Sequence, residues 1–329
     1  MARIFAYVPH AGGVADEAAA ELLTAAAKND AGAAPVAILT GWGPELDQAA
    51  ESLKPLFSEI WKVSAEALAQ PNAEVVRKAL IEVIPAGSIV LVPHSHFGWD
   101  LSPGLSIKLN AAYLPDVLDI VAVGGGSLTA VRTEFGGQIS VHVRCDISTG
   151  VVINTRPGAF AAAAPSASGA VVDKPITSDL TSGRRYLQTI EAEGGDVDIT
   201  KQNVLVSIGR GIQEADNIEI AQELADALGC AVSCSRPVVD AKWLDKSRQI
   251  GSSGKTVKPK VYLALGISGS FQHLAGLKGN PFIIAVNKNS KAPIFRVAQV
   301  GIVDDILEFM PALTERVRQQ GSMAQGAGR

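Results

Sequence analysis

The stretch Val261–Lys288 carries an imidazole, several hydroxyls and a glycine-rich turn within one supersecondary unit. Val261–Leu265 reads as a buried strand that breaks at Gly266-Ile267-Ser268-Gly269-Ser270. A helical segment is expected to follow over Phe271–Leu277, with Gln272 and His273 in its first turn. At a strand-to-helix junction free backbone N–H groups and aligned peptide dipoles favour a phosphate or another anion, and glycine permits close approach. Three more loops follow strand-like runs in the same half of the chain: Ser207-Ile208-Gly209-Arg210-Gly211, Ser233-Cys234-Ser235-Arg236 and Asn287-Lys288-Asn289. Arg210 and Arg236 supply planar forks suited to paired hydrogen bonds with a pyrophosphate. Taken singly, each piece has an ordinary structural explanation, and their convergence is what points to a ligand. A fifth loop, Gln249-Ile250-Gly251-Ser252-Ser253-Gly254-Lys255, approaches a phosphate loop but lacks the first glycine of G-x-x-x-x-G-K-[ST], so nucleotide hydrolysis is not favoured.

The elements that must position these loops follow from hydrophobic patterning. In the first half, strands are expected at Arg3–Val8, Val36–Thr40, Glu59–Val63 and Ser88–Pro93, with helices over Val14–Lys28, Glu45–Leu53 and Asn72–Ile84. Strands alternating with helices of this length imply a parallel sheet with crossovers. Over Leu128–Arg156 the pattern changes to extended runs broken by Gly136-Gly137 and Ser148-Thr149-Gly150, which predicts an antiparallel meander closing the sheet edge. Ala159–Ala170 reads as loop. The Glu191–Asp196 segment punctuates the chain and predicts two domains, 1–192 and 193–329. A second α/β series then runs through strands at Val204–Ile208, Cys230–Ser233, Val261–Leu265 and Phe282–Asn287, with helices at Ile218–Leu228 and Val303–Thr314. The fold class is therefore α/β, with two doubly wound parallel-sheet domains of Rossmann-like or flavodoxin-like type. Ligands of such sheets sit beyond the carboxyl ends of the strands.

With 329 residues, close to half of them apolar, the chain can build two cores at about 150 residues per domain. A net charge of −4 and no run of Lys or Arg argue against a nucleic-acid track or a membrane-surface patch. Cys145, Cys230 and Cys234 form no even disulfide set, and Cys230-x-x-x-Cys234 lacks the second pair that a zinc site needs. No metal is expected, His94 and His96 included. A cytoplasmic protein without direct membrane insertion is the expectation.

The segment from about Val204 to Pro311 resembles the α subunit of electron transfer flavoproteins, also called FixB-type proteins. The likeness rests on Gly209-Arg210-Gly211, on Ser235-Arg236 before Val239-Asp240-Ala241, and on Gly251-Ser252-Ser253-Gly254-Lys255. It continues through Gly266–Gly276, whose Gln-His-Leu-Ala-Gly ending is specific, and through Ala285-Val286-Asn287-Lys288 to Ala292-Pro293-Ile294-Phe295. The first domain matches more loosely, through Val131–Phe160. The resemblance implies FAD held mainly by the second domain. It would place Arg210 and Ser235 along the phosphate and ribityl portion, Ser268–His273 around the pyrophosphate and flavin edge, and Asn287 and Asp305 at the adenosine end. Ile250–Ser253 would line the isoalloxazine, with Arg236 and His273 nearest the redox-active ring. A positive charge or hydrogen-bond donor there raises the flavin potential. Two departures stand out: Gly251-Ser252-Ser253-Gly254 replaces the usual Gly-Gln-Thr-Gly, keeping a hydroxyl at Ser253, and His94–Asp100 replaces a Gly-Arg-Asp loop.

What the resemblance further implies is an electron carrier rather than an enzyme. The first domain would contact an electron transfer flavoprotein β subunit. Acyl-CoA dehydrogenases of fatty-acid β-oxidation, or related flavoenzymes, would donate electrons, and a quinone oxidoreductase or another acceptor would receive them. An electron-bifurcating, NADH-dependent complex is the variant reading. An NAD(P)-dependent dehydrogenase is disfavoured because neither domain opens on a strand with G-x-G-x-x-G and an acidic residue about 20 positions on. A non-redox adenine-nucleotide module would leave Arg236, Ser253 and His273 without a ring to serve.

Overall fold

The computed structural model describes residues 3–188, apart from 31, 33 and 136–138, and residues 197–326. Chain contacts divide the molecule into two compact units, Met1–Gln188 and Thr189–Arg329. The expected boundary at 192/193 and the Glu191–Asp196 linker lie outside the described residues, as does the Gly136-Gly137 turn.

In the first unit β1 (Ile4–Tyr7) leads into a small hairpin of β2 (His10–Ala11) and β3 (Val14–Ala15), followed by α1 (Ala18–Asn29) and β4 (Val36–Gly41). Alternation continues through α2 (Pro44–Leu53), β5 (Glu59–Ser64), α3 (Ala73–Val83), β6 (Ile89–Pro93), α4 (His96–Lys108) and β7 (Ala112–Val117). An antiparallel set of β8 (Asp119–Gly124), β9 (Ser127–Glu134) and β10 (Ile139–Asp146) precedes β11 (Val151–Thr155) and β12 (Ala170–Lys174). The large sheet has the order β12-β5-β4-β1-β6-β11-β7 and is parallel throughout. Period-two alternation sends Ala6, Leu39, Leu91 and Ile153 into one core and Phe5, Ile38, Val90 and Val152 into the other.

Three expectations are corrected here, and one strand was not foreseen. Val14 starts no helix, because Gly12 and Gly13 at φ 54° and 77° turn the chain into the β2–β3 hairpin. The stretch His94–Asp100 is not a loop: Ser95 Oγ accepts the Gly98 N–H at 3.1 Å and caps α4. The meander ends at Asp146 and forms its own three-stranded sheet, while Val151–Thr155 runs parallel between β6 and β7. Strand β7 carries Pro115, which an edge position tolerates because one side of the strand needs no ladder donor.

The second unit adds β13 (Val204–Ile208), α5 (Ile218–Leu228), β14 (Ala231–Cys234), the short α6 (Arg236–Asp240) and β15 (Val261–Leu265). Then come α7 (Phe271–Leu274), β16 (Phe282–Val286), β17 (Val300–Ile302) and α8 (Ile306–Gly326). The order β14-β13-β15-β16-β17 is parallel and of flavodoxin-like type, with its switch point between β13 and β15. Helices α5 and α8 cover one face around Val206, Leu263 and Met310. On the other face, Leu205, Tyr262 and Ala264 meet Ile250 and Ile267. Two helices differ from expectation: α7 is a single α-turn, and α8 starts at Ile306, where Asp305 Oδ1 accepts the Leu307 N–H at 3.1 Å.

At the switch point the loops after β13 and β15 touch backbone to backbone. Gly209 donates to the Leu265 carbonyl at 2.9 Å and Gly211 to the Gly266 carbonyl at 3.2 Å. A Cβ on Gly209 would lie 2.3 Å from the Gly266 oxygen. Gly209→Ala is therefore expected to cost about 1–3 kcal/mol through overpacking. Gly229→Ala, at φ 63° with open space around it, should cost about 1 kcal/mol from backbone strain alone. Urea titration of the two variants measures this, and a Gly209→Ala loss no larger than that of Gly229→Ala would contradict the collision.

Candidate functional site

A cavity of about 590 Å³ opens at the carboxyl edge of the second unit. Its walls come from four places. The loop after β13 contributes Arg210, and the turn after β14 contributes Ser235 and Arg236, joined by Pro237 and Asp240 of α6. The Gln249–Ser253 loop forms one side, and Gly266–Ser268, Ser270, Gln272 and His273 form another. Thirteen of the residues singled out in the sequence thus meet in one place, three strands and a long loop apart.

The Gln249–Lys255 loop is held tightly. Ile250 donates to the Cys234 carbonyl at 2.9 Å, which ties the loop to the end of β14, and Ser252 donates to the Gln272 carbonyl at 2.7 Å, which ties it to α7. Gly276 makes this approach possible, since a Cβ there would lie 2.4 Å from the Gly251 nitrogen. Inside the loop, Gln249 Nε2 donates to Ser253 Oγ at 2.9 Å, leaving the serine proton free to point elsewhere.

His273 is buried, 5% exposed, and its Nε2 lies 2.7 Å from the Tyr262 hydroxyl. Nδ1 makes no hydrogen bond of acceptable geometry. Burial pushes the imidazole pKa from 6.5 down to about 4, and the nearby Ile250 carbonyl offsets only part of that. His273 is therefore a neutral group at pH 7 and does not supply the positive charge considered for it; it can act only through a hydrogen bond.

The cations sit at the rim instead. Arg210 is exposed and has no carboxylate partner among the described residues. Arg236 is 68% exposed at its side chain and pairs with Asp240 at 3.3 Å, so its charge is screened by water and partly cancelled.

Four expected residues lie outside the cavity lining. Gly269, at φ 79°, packs against the Ile294 backbone, and Phe271 is partly exposed. Asn287 Nδ2 donates to the Ile267 carbonyl at 3.0 Å, bracing the β15–α7 loop from behind. Asp305 pairs with Lys288 at 2.7 Å; the ammonium and the Leu307 N–H hold its carboxyl below the usual range. The one-turn length of α7 also leaves little helix dipole at the junction. The sequence reading missed Pro237, Asp240 and Gln249 in the walls and Tyr262 behind them. The i,i+4 spacing of Arg236 and Asp240 was the available signal for one of these. In the first unit, His94 and His96 pack on Trp99 at ring separations of 5.1 and 4.7 Å, and among the described residues no group of three His, Cys, Asp or Glu side chains is placed to hold a metal. No described helix is long and apolar enough to cross a membrane.

The His273 environment makes stability pH-dependent. Its folded pKa lies below the unfolded value, so the unfolded chain binds the extra proton as pH falls from 6.5 to about 4. Stability from this group is complete above 6.5 and falls by about 3 kcal/mol across that window. His273→Gln should flatten the slope of unfolding free energy against pH between 6.5 and 4 relative to wild type, measured by denaturant titration; parallel slopes would refute a buried neutral imidazole.

Residues 4–178 match the family model described as the electron transfer flavoprotein domain, and residues 198–278 match the electron transfer flavoprotein FAD-binding domain. The chain is 42% identical over 225 residues to the electron transfer flavoprotein subunit alpha of Methylophilus methylotrophus, covering 68% of this chain and 69% of that one. It is 35% identical over 235 residues to protein FixB of Clostridium saccharobutylicum, covering 70% of each. To the electron transfer flavoprotein subunit alpha of Mycobacterium leprae (strain TN) it is 32% identical over 324 residues, covering 97% of this chain and 99% of the relative. Two domain models in tandem and relatives of this identity place the chain in the electron transfer flavoprotein α subunit family.

Proposed function

We propose that the chain is the FAD-carrying α subunit of a heterodimeric electron transfer flavoprotein and that the second-unit cavity is its flavin site. The observation that carries this reading is the character of that cavity. An apolar lining from Ile250, Ile267 and Pro237 suits a flat ring, a neutral buried imidazole lies among the lining residues, and an arginine with no carboxylate partner among the described residues stands at the rim. Pockets of this size with few convergent polar groups are typical of cofactor sites. The residues fit the group: Arg210, Ser235, Ser268 and Ser270 would hold the phosphate and ribityl portion. Ile250–Ser253, Arg236, Gln272 and His273 would meet the ring, and Asn287 and Asp305 would lie beyond the cavity toward the adenosine end.

When bound, the flavin supplies reversible uptake of one or two electrons. The chain's part is to bind, orient and tune. Ser253, whose oxygen already accepts from Gln249, can donate its own proton to a ring acceptor. Arg236 adds positive potential and Asp240 subtracts some of it. No bond of a substrate has to be broken, so no acid–base pair is needed. On this reading the first unit meets the β subunit, electrons enter from acyl-CoA dehydrogenases or related flavoenzymes, and a quinone oxidoreductase or another acceptor removes them.

Co-production of the full chain with an electron transfer flavoprotein β subunit should yield a yellow complex from which about one FAD per α chain is extracted. A colourless complex, thermally protected by NAD or ATP but not by FAD, would overturn the assignment. Within the yellow complex, Arg236→Ala is expected to lower the two-electron potential by about 20 mV and Asp240→Asn to raise it by a similar amount, since exposed charges act at about 1 kcal/mol or less. Spectroelectrochemical titration decides this, and shifts of the same sign would remove the charge argument.

A further inference from the structure

We propose that Arg248 is a positioning residue: its guanidinium makes a ladder hydrogen bond that the backbone leaves out on the open edge of β14, and so sets where the cavity loop Gln249–Ser253 stands. The inference rests on the flavin reading for what the loop meets, though the hold on the loop is a property of this chain alone.

Strand β14 lies at the end of the five-stranded sheet and pairs with β13 on one side only. On its open side the chain returns alongside: Ile250 donates to the Cys234 carbonyl at 2.9 Å, and Cys234 and Gln249 form a single parallel bridge. Carbonyls two residues apart on a strand point the same way, so that of Val232 faces this open side too and needs a donor. Continued by one rung toward the start of β14, a parallel ladder would place the Arg248 N–H on the Val232 carbonyl. That N–H is already committed, since it donates to the Asp245 carbonyl at 3.1 Å and closes the short 3₁₀ turn Lys246–Arg248. The side chain makes the rung instead. Arg248 is buried, 7% exposed, and its Nη1 donates to the Val232 carbonyl at 2.7 Å. A guanidinium only donates and a carbonyl oxygen only accepts, so the direction of this bond is fixed, and the charge on the donor strengthens it.

Two successive rungs, one from a side chain and one from the backbone, therefore hold Arg248 and Ile250 against β14. Gln249 and Ile250–Ser253 all belong to the cavity wall, while Arg248 itself stands outside it. Further along, Ser252 is tied to the Gln272 carbonyl at 2.7 Å. Without the first rung the start of the loop is released, and with it the hydrogen bond from Gln249 that orients the Ser253 hydroxyl. Methionine at 248 would keep an unbranched stem but no donor, whereas lysine would keep both a charge and a donor.

The test pairs proton exchange with flavin binding, using the full chain. In wild type the Arg248 guanidinium protons, followed by ¹⁵N NMR, should exchange about tenfold or more slower than those of the exposed Arg236. Arg248→Met should speed exchange of the Ile250 and Ser252 amides about tenfold while leaving the Gly209 amide at the switch point unchanged, and Arg248→Lys should restore most of the protection. In the complex with the β subunit, Arg248→Met is expected to hold FAD about tenfold more weakly. It should also bind reduced flavin about threefold more weakly relative to oxidised flavin, equivalent to a potential lower by about 14 mV, with Arg248→Lys near wild type in both respects. Guanidinium protons that exchange as fast at Arg248 as at Arg236 overturn the proposal even if neither variant folds. Unchanged Ile250 and Ser252 exchange in Arg248→Met overturns it as well, and so does faster exchange with FAD affinity and potential unaltered. If wild type retains no FAD, the flavin assignment falls, and amide exchange in the flavin-free chain still decides whether Arg248 holds the loop.

Discussion

The contact on which the second unit depends is the meeting of two backbones at the switch point of its sheet. Strands β13 and β15 are neighbours, and their following connections leave toward opposite faces. The loops must part above the sheet, yet their first residues are pressed together by the strand pairing below. Only residues without side chains fit there, and Gly209, Gly211 and Gly266 occupy the contact. Above it the diverging chains leave room, and the turn after β14 and the Gln249–Lys255 loop close the remaining sides. The cavity is thus a consequence of strand order, with glycine permitting the geometry.

Burial then divides the labour among the polar groups. Deep in the site a charge would be expensive, and the groups there are neutral: burial lowers the His273 pKa to about 4 and raises that of the nearby Cys234 thiol to about 12. The permanent charges of Arg210, Arg236 and Asp240 remain at the rim, where water screens them. Long-range attraction for an anion and close-range hydrogen bonding to a ring are therefore carried by different residues at different depths.

Much of this was legible in the chain itself. The alternation of apolar runs with helical stretches located most of the parallel strands, and the rule that ligands sit at the carboxyl edge brought Arg210, Ser235, Gly266 and His273 together before any coordinates. What escaped were features decided by tertiary surroundings. Helix α4 contains Gly98 and Pro103, which mask its periodicity, and it forms because Ser95 caps it and Leu101 and Leu105 are buried. Strand β7 hides behind Pro115 and exists because it can pair with β11 on one side only. His273 and Arg236 were read as a positive charge or hydrogen-bond donor from residue type alone, and burial separates them: the histidine is neutral, and the arginine keeps its charge in water.

The two units also show why one doubly wound sheet makes a site and another need not. At the carboxyl edge of the first unit the polar groups largely consume one another. Tyr7 bonds Thr40 at 3.1 Å, Tyr113 bonds Asn154 at 2.6 Å, Asn154 bonds Ser102 at 3.0 Å, and Arg156 Nε holds Asp116 at 2.7 Å while also reaching Thr133. Even the loop after β11 is tied down, with Gly158 donating to the buried Glu21 carboxylate at 2.5 Å. Buried atoms without a hydrogen bond occur in both units, His10 Nδ1 beyond β1 in the first and Ser233 Oγ and His273 Nδ1 in the second. Folding tolerates such atoms when something else satisfies them, because each unmet group costs about 1–3 kcal/mol. What sets the second edge apart is its open cavity, walled by the loops after β13, β14 and β15 together with the Gln249–Lys255 loop.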